Sequence, residues 1–321
     1  MTLKKQQGIA LLMAIMIVAL VSIVSINMLT QRQMQIYRTA NIYFKDQAYQ
    51  FCLSVERWGL SVLIQDYSKV DKYDGAKDVW NKKLNKFSMK QATITGVIFD
   101  LQGRFNLNNL VLNGKINRKW FENYKRLLNT LKLPLSLADT LLDWIDKDEQ
   151  PVTDGAEDIY YISLDRPYRA ANQPLNNVSE LLLIKGYTEK TVNLLKPFVF
   201  TADESTAVNI NTSSNLVLQA VLQGLSESQA TSLAAVLKAS PMQSIADFKK
   251  LPAIKNIALE DESISVSSNY FVINSYVLID KIQVNLQSII NRDNNGHIIV
   301  RSRHESIDYN STYIPSKDKT E

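Results

Sequence analysis

The sequence predicts an α+β protein: a long N-terminal helix, one antiparallel β-sheet divided in the sequence, and a large all-α insert between its halves. Three observations carry this. A 22-residue apolar run passes without a break into a helical pattern; alternating β-branched and polar residues occur at 91–112 and again from Ile264; and the roughly 150 residues between them read as short helices. Composition sets the limits. A chain of 321 residues, 45% apolar and 21% charged, is long enough for two packed cores, and is neither disordered nor collagen-like. A formal charge of +4 does not indicate a nucleic-acid binder. The single cysteine, Cys52, excludes an intramolecular disulfide framework and multi-cysteine zinc sites. Two histidines, His297 and His304, leave little for histidine-based metal hydrolysis.

Residues Ile9 to Thr30, IALLMAIMIVALVSIVSINMLT, carry no charge. As a helix rising about 1.5 Å per residue they span a bilayer core of about 30 Å. MTLKKQQG precedes them, short, basic and ending in Gly8. The stretch NMLTQRQMQ offers no small-residue cleavage site, which disfavours a secretory signal peptide and leaves an uncleaved anchor as one reading. From Gln31 to about Gln65, Met34, Tyr37, Ile42, Ala48, Phe51, Val55, Trp58 and Val62 recur at helical spacing. The expectation is a helix over 9–65, membrane-spanning at 9–30, whose far half packs on a folded head. Cys52 falls on that half and is expected as a buried thiol.

In QATITGVIFDLQGRFNLNNLVL, Gln102-Gly103 reads as a hairpin turn between two strands. Three or four further runs follow Ile264, the last turn carrying Asp293, Asn294, Asn295 and Gly296. This predicts a discontinuous β core over 66–112 and 263–304, an α-helical insert over 113–262, and a polar, frayed tail over 305–321. Helices are expected at 119–131, 135–145, 178–183, 188–195, 213–223, 226–238 and 245–250. NVSELLLIKGYTEKTVNLLKPF and NTSSNLVLQAVLQGLSESQATSLAAVLKASP form an internal repeat, with turn glycines Gly186 and Gly224 38 residues apart. The repeat resembles the helix-hairpin-helix family of nucleic-acid modules. Each hairpin keeps one glycine, with Thr188 and Ser226 at the place of the second, and basic crowding is missing, so the repeat is read as a packing module without a nucleic-acid partner.

The densest constellation is DTLLDWIDKDEQPVTDGAEDIYY, with Asp143, Asp146, Asp148, Glu149, Asp154, Glu157 and Asp158. Such carboxylates repel one another unless a cation or water separates them. Counted from Asp146, oxygen-bearing side chains fall at positions 1, 3, 5, 9 and 12 (Asp146, Asp148, Gln150, Asp154 and Glu157), the ligand spacing of an EF-hand loop. Pro151 stands where that loop needs Gly, so a true EF-hand is not expected. Oxygen donors without His or Cys favour Ca²⁺ over zinc. A solvated acidic loop and a glycosidase-type carboxylate pair stay open as alternatives. Trp144, Tyr160 and Tyr161 beside the loop read as core packing.

The leader-like start, the long helix and the retained apolar run resemble the type IV pilin and pseudopilin class. FDLQGRFNLNNL, LLDWID, GAED, YRAANQPL and ELLLIKG, in that order, resemble the K-type minor pseudopilins of type II secretion from the leader to about Arg303. The resemblance implies a pilin-like helix packed on an antiparallel sheet, with a helix-hairpin-helix-like all-α insert. It implies residues 1–8 as a prepilin leader cut between Gly8 and Ile9 by the prepilin peptidase, which also methylates. Met13 then replaces the glutamate usual at the fifth mature position, itself a feature of this subgroup. The position implied is the pseudopilus tip, capping and initiating the fibre. The partners implied are the I-type and J-type minor pseudopilins, the major pseudopilin and the inner-membrane platform, with a periplasmic head and no enzymatic activity. Calcium in the head is implied too, with Asp146, Asp148, Glu149, Glu157 and Asp158 as candidate ligands and Asp143, Asp154 and Asn172 as further ones. The rival readings are a membrane-anchored helix-hairpin-helix DNA receptor and an anchored carbohydrate hydrolase.

Overall fold

The computed structural model describes residues 6–68, 72–82, 84–89, 92–255, 257, 261–293 and 295–308. Residues 1–5 of the expected leader, Asn294 of the expected turn and the tail from 309 lie outside the described residues.

Helix α1 runs unbroken over Gln6–Tyr67. No Pro interrupts it, its first part is mostly aliphatic, and the hydroxyls of Ser22 and Thr30 bond back to carbonyls one turn earlier, so the helical ladder runs on. From Ile9 to Thr39 every side chain is exposed; burial begins at Ala48 and continues at Cys52, Val55, Glu56 and Leu63, one stripe at helical spacing. That stripe lies on a five-stranded antiparallel sheet. Strands β1 (Leu84–Met89) and β2 (Ala92–Asp100) precede the insert; β3 (Tyr270–Ile279), β4 (Ile282–Arg292) and β5 (Ile298–Asp308) follow it. Their order in space is their order in the chain. Register places Ile98 opposite Ile273, Ile273 opposite Ser288 and Ser288 opposite Arg303, one row on the helix side. Gly59 lets the helix touch that row, since a Cβ there would stand 2.7 Å from Ile273 Cδ1. Cys52 is fully buried, donates to Val284 O at 3.5 Å, and burial pushes its thiol up to about 12. Glu56, also buried, accepts from Ser288 Oγ at 2.5 Å and from Arg303 Nε and Nη2 at 2.7 and 2.8 Å. Burial alone would raise its pKa, but these donors bring the carboxyl below its usual range.

The expected hairpin at Gln102-Gly103 does not form. β2 ends at Asp100, its partners are β1 and β3, and Phe105–Asn106 pairs in parallel with Val199–Phe200 inside the insert. Gly103 serves a close approach instead: a Cβ there would lie 2.7 Å from Thr212 O. FNLNNL alternates as a strand would, yet Leu107–Leu110 folds as a 3-10 turn with its asparagines inward. Asn106, Asn108 and Asn109 are buried and donate to the carbonyls of Glu204, of Leu175 and Ala202, and of Thr206. Phe105, Leu107, Leu110 and Ile264 therefore belong to the insert's core, and the chain is out of the sheet from Leu101 to Asn269 rather than 113–262. At the other end β5 does not fray at Glu305. It pairs as far as Asp308, with Glu305 opposite Leu286 and 3.9 Å from Lys45.

Within the insert, α2 (Arg118–Thr130), α3 (Ser136–Ile145), α5 (Glu189–Leu195), α6 (Asn215–Val221), α7 (Glu227–Ala239) and α8 (Ile245–Lys249) match the expected segments to within two residues at each end, and 178–183 is a 3-10 helix. The short α4 (Asp158–Ile162) has no counterpart in the expected set. Gly186 and Gly224 both take positive φ, +86° and +92°, just ahead of helices capped by Thr188 and Ser226, as the repeat requires.

The joint between sheet and insert is polar and buried. Arg292 of β4 donates from Nη2 to both Asp74 oxygens at 2.8 and 2.7 Å and to Ser268 O at 3.0 Å, with Nη1 3.7 Å from Asp66. Its guanidinium stacks 4.7 Å from the Phe271 ring. Asp100, at the end of β2, accepts from Ser268 Oγ, Asn209 Nδ2 and Thr212 Oγ1. Burial raises Asp74 to about 6, against the pull of Arg292. Replacing Arg292 with Ala leaves the buried Asp74 carboxylate without its cation and is expected to cost about 3–5 kcal/mol in urea unfolding of the head; a loss below about 1 kcal/mol would show that the joint is held by its apolar contacts.

Candidate metal centre

Helix α3 and the loop after it build the site. α3 is buried on nearly every side, Leu137 to Ile145, so its C-terminal end is fixed by packing. Trp144 packs edge-on to Tyr161 at 5.1 Å, and Tyr161 lies 5.3 Å from Tyr168; Trp144 and Tyr161 are buried core as expected, and Tyr160 is half-buried. The helix ends at Asp146 in extended conformation, the loop turns through Asp148, whose Oδ1 accepts from Gln150 N, and returns at Glu157 to start α4.

One carboxylate oxygen from each of Asp146, Asp148 and Glu157 falls within 4.8 Å of the others. These are positions 1, 3 and 12 of the loop counted from Asp146. Asp146 and Glu157 are buried, at 4% and 3% exposure. Among the described residues, Asp146 Oδ1, both oxygens of Glu157 and Asp143 Oδ2 have no hydrogen-bond partner, nor has Asn172 Oδ1. Buried carboxylate oxygens without donors are costly, and their convergence makes the cluster a candidate for a cation. Asn172 takes positive φ, 46°, and its N–H is tied to Trp144 O, two residues before Asp146. Gly155 wraps Asp143 so closely that any Cβ there would collide with Asp143 Oδ2. Burial, then the neighbouring Asp148 and Asp143 charges, pushes Asp146 up to about 7. Glu157 reaches about 7 through burial and the same neighbours.

The remaining candidates stand apart. Asp158 is engaged, accepting from Ala170 N at 2.9 Å and lying 3.5 Å from Arg169. Glu149 and Asp154 are exposed and outside the oxygen cluster. Two residues without sequence signal complete the surroundings. Lys185 reaches across 30 residues to donate to Gly155 O at 3.0 Å and lies over the Tyr160 ring, and Gly155 itself is the close neighbour of Asp143. A second carboxylate group, Asp66, Asp74 and Asp78, is already held by Arg292 and by Gly75 N.

Ile9 and Met13 lie on the exposed apolar part of α1, where Gly8 is also helical. α1 is long and apolar enough to cross a membrane. A bare apolar half-helix, an amphipathic half packed on an antiparallel meander, and a helical insert with an acidic loop define a pseudopilin-type protein with an enlarged head. Comparison with known proteins identifies which. Models of type II secretion system protein K match residues 103–204 and 208–267. The type II secretion system protein K of Pseudomonas aeruginosa is 33% identical over 93% of this chain and 92% of its own, and that of Klebsiella pneumoniae 29% over 94% and 97%. The fold matches a chain in the crystal structure of the GspK–GspI–GspJ complex from enterotoxigenic Escherichia coli with TM-score 0.73 and 25% identity, covering 84% of this chain and 99% of that one. The chain belongs to the type II secretion protein K family and is a minor pseudopilin.

Unfolded carboxyls titrate near pH 4, whereas Asp146 and Glu157 hold their protons to about 7 in the fold. The metal-free fold is therefore favoured below pH 4 and loses stability as pH rises through 7. In chelator, the melting temperature should fall by several degrees between pH 5 and pH 8, and the Asp146→Asn, Glu157→Gln double variant should flatten that fall. An unchanged slope in the variant would contradict the assignment.

Proposed function

We propose that this minor pseudopilin caps and initiates the type II secretion pseudopilus, so that folded proteins are exported across the outer membrane. The observation that carries the reading is the insert, residues 101–269, grown from the single β2–β3 connection. A head so enlarged leaves no room for a further subunit stacked above it. Met13 points the same way: it has no carboxylate to neutralise the N-terminal ammonium of a neighbour in apolar packing, so this chain needs no subunit ahead of it. The partners proposed are the I-type and J-type minor pseudopilins, in keeping with the GspK–GspI–GspJ complex of the structural relative. To these we add the major pseudopilin, the inner-membrane platform and the prepilin peptidase. Before assembly the helix anchors the chain once in the inner membrane with a periplasmic head. The peptidase cuts between Gly8 and Ile9 and methylates Ile9. The protein does no catalysis.

The acidic loop takes calcium in this reading. Asp146, Asp148 and Glu157 hold the ion, with Asp143 and the Asn172 amide oxygen completing the oxygen donors. The ion supplies the charge that lets these carboxylates ionise together, and so ties the 146–157 loop to the end of α3.

Three measurements test the proposal. Mass spectrometry of the protein from its own membrane should find a chain beginning at methylated Ile9; one still beginning at Met1 would remove the processing step. Joining Asp100 to Phe271 by a short turn, or Met13→Glu, should alter pseudopilus length or secretion; no effect of either would exclude capping. Calorimetric titration of the chelator-treated protein should show calcium binding at or below millimolar concentration, reduced at least tenfold by Glu157→Gln; silence at millimolar calcium would leave a solvated acidic loop.

A further inference from the structure

Helix α1 contains a stretch that belongs neither to the apolar run nor to the packed head. It lies between Thr30 and Phe44, where the helix first packs on the head, and holds Arg32, Tyr37, Arg38 and Tyr43. Arg32 and Arg38 are exposed, and neither has an ion-pair partner among the described residues. No Asp or Glu occurs from Gln6 to Lys45, and Lys45 is already directed at Glu305. Tyr37 is 62% exposed.

The spacing along the axis gives this stretch a site of action. At about 1.5 Å per residue, Arg32 lies about 3 Å, Tyr37 about 10 Å and Arg38 about 12 Å beyond Thr30. The polar layer beside the hydrocarbon core is about 5–7 Å deep, and an arginine stem reaches back several ångströms along the helix. Both guanidinium groups therefore reach the depth of the lipid phosphates, and the Tyr37 ring, apolar with a polar tip, suits the same layer. Guanidinium pairs phosphate oxygens two at a time, and an anionic surface concentrates cations that have no carboxylate nearby.

We propose that Arg32, Tyr37 and Arg38 form a collar that binds the phosphates of anionic phospholipids in the leaflet facing the head. The inference rests on the reading of 9–30 as a membrane span. The collar fixes the height of the head above the bilayer, with full burial starting at Ala48, ten residues beyond Arg38, and its contacts must be given up when the helix leaves the membrane for a fibre.

The test uses the full chain reconstituted in phosphatidylcholine vesicles doped with spin-labelled phosphatidylglycerol or phosphatidylcholine. The motionally restricted fraction of each label is read by electron paramagnetic resonance. At low salt the anionic label should be preferred about threefold or more, the preference should shrink in high salt, and Arg32→Gln with Arg38→Gln should bring it close to one. Arg57→Gln, an exposed cation on the head-bound part of α1, should leave it unchanged. Restricted lipid with no charge preference, or a preference that survives the double variant, overturns the collar and leaves the stretch to partner helices. Absence of restricted lipid for both labels overturns the membrane span as well, and so separates the two readings.

Discussion

One buried guanidinium holds the parts of the head in place. Arg292 projects from β4 into the gap where the end of α1, the 72–81 segment, the end of β2 and the return of the chain from the insert meet. A cation so enclosed must be paired, and Asp74 and Asp66 pair it from two different segments. Asp100, next along, is paired by neutral donors of the insert instead. None of these groups can be satisfied unless helix, sheet and insert are all docked together. A pair of this kind contributes less to net stability than to uniqueness, because every misdocked arrangement leaves a buried charge alone.

The same constraint explains how a fold with a simple five-stranded meander tolerates a 169-residue interruption between two neighbouring strands. Asp100 and Phe271 remain opposite one another in the register, so the insert leaves and rejoins the sheet at one point. Its own core, built from Phe105 to Ile264, is distinct from the two clusters under α1. Sheet and insert touch through a small apolar contact of Leu101, Phe200, Ala202, Tyr270 and Val272, and through the polar joint beside it. The acidic loop lies in the insert, away from that joint in sequence, and its fixed points are α3 and the Tyr161 packing. Carboxylates at the joint are paired by Arg292 and by neutral donors of the protein, whereas Asp146 Oδ1 and both oxygens of Glu157 in the loop have no hydrogen-bond partner among the described residues.

Much of this architecture was legible from residue order. The apolar run of 9–30 and the helical spacing that grows clear after Ala48 read as one helix, since no Pro breaks them. The capped segments of the insert, with Thr188 and Ser226 ahead of their helices, announced themselves because capping is a local hydrogen bond. FNLNNL misled for a physical reason. Its alternation is that of a strand, yet its asparagines face inward to satisfy carbonyls some 67 to 98 residues away, and no local pattern reports such partners. The start of the polar tail misled in the opposite way: Glu305 to Asp308 pair in β5, since polar side chains suit an edge strand.

In the acidic loop the sequence by itself determined the chemistry on offer, hard oxygen donors at repeating intervals with no His or Cys among them. Tertiary structure decided which of them converge. Asp146, Asp148 and Glu157 meet because the loop closes on the end of α3, whereas Asp158 is drawn off by Arg169 and Ala170 N, and Glu149 and Asp154 face solvent. Spacing along a chain fixes which side chains share a face within one helix or strand. Across a loop it fixes nothing, because the direction of each carboxylate depends on packing by residues such as Trp144, Tyr161 and Lys185 that lie in other segments of the chain.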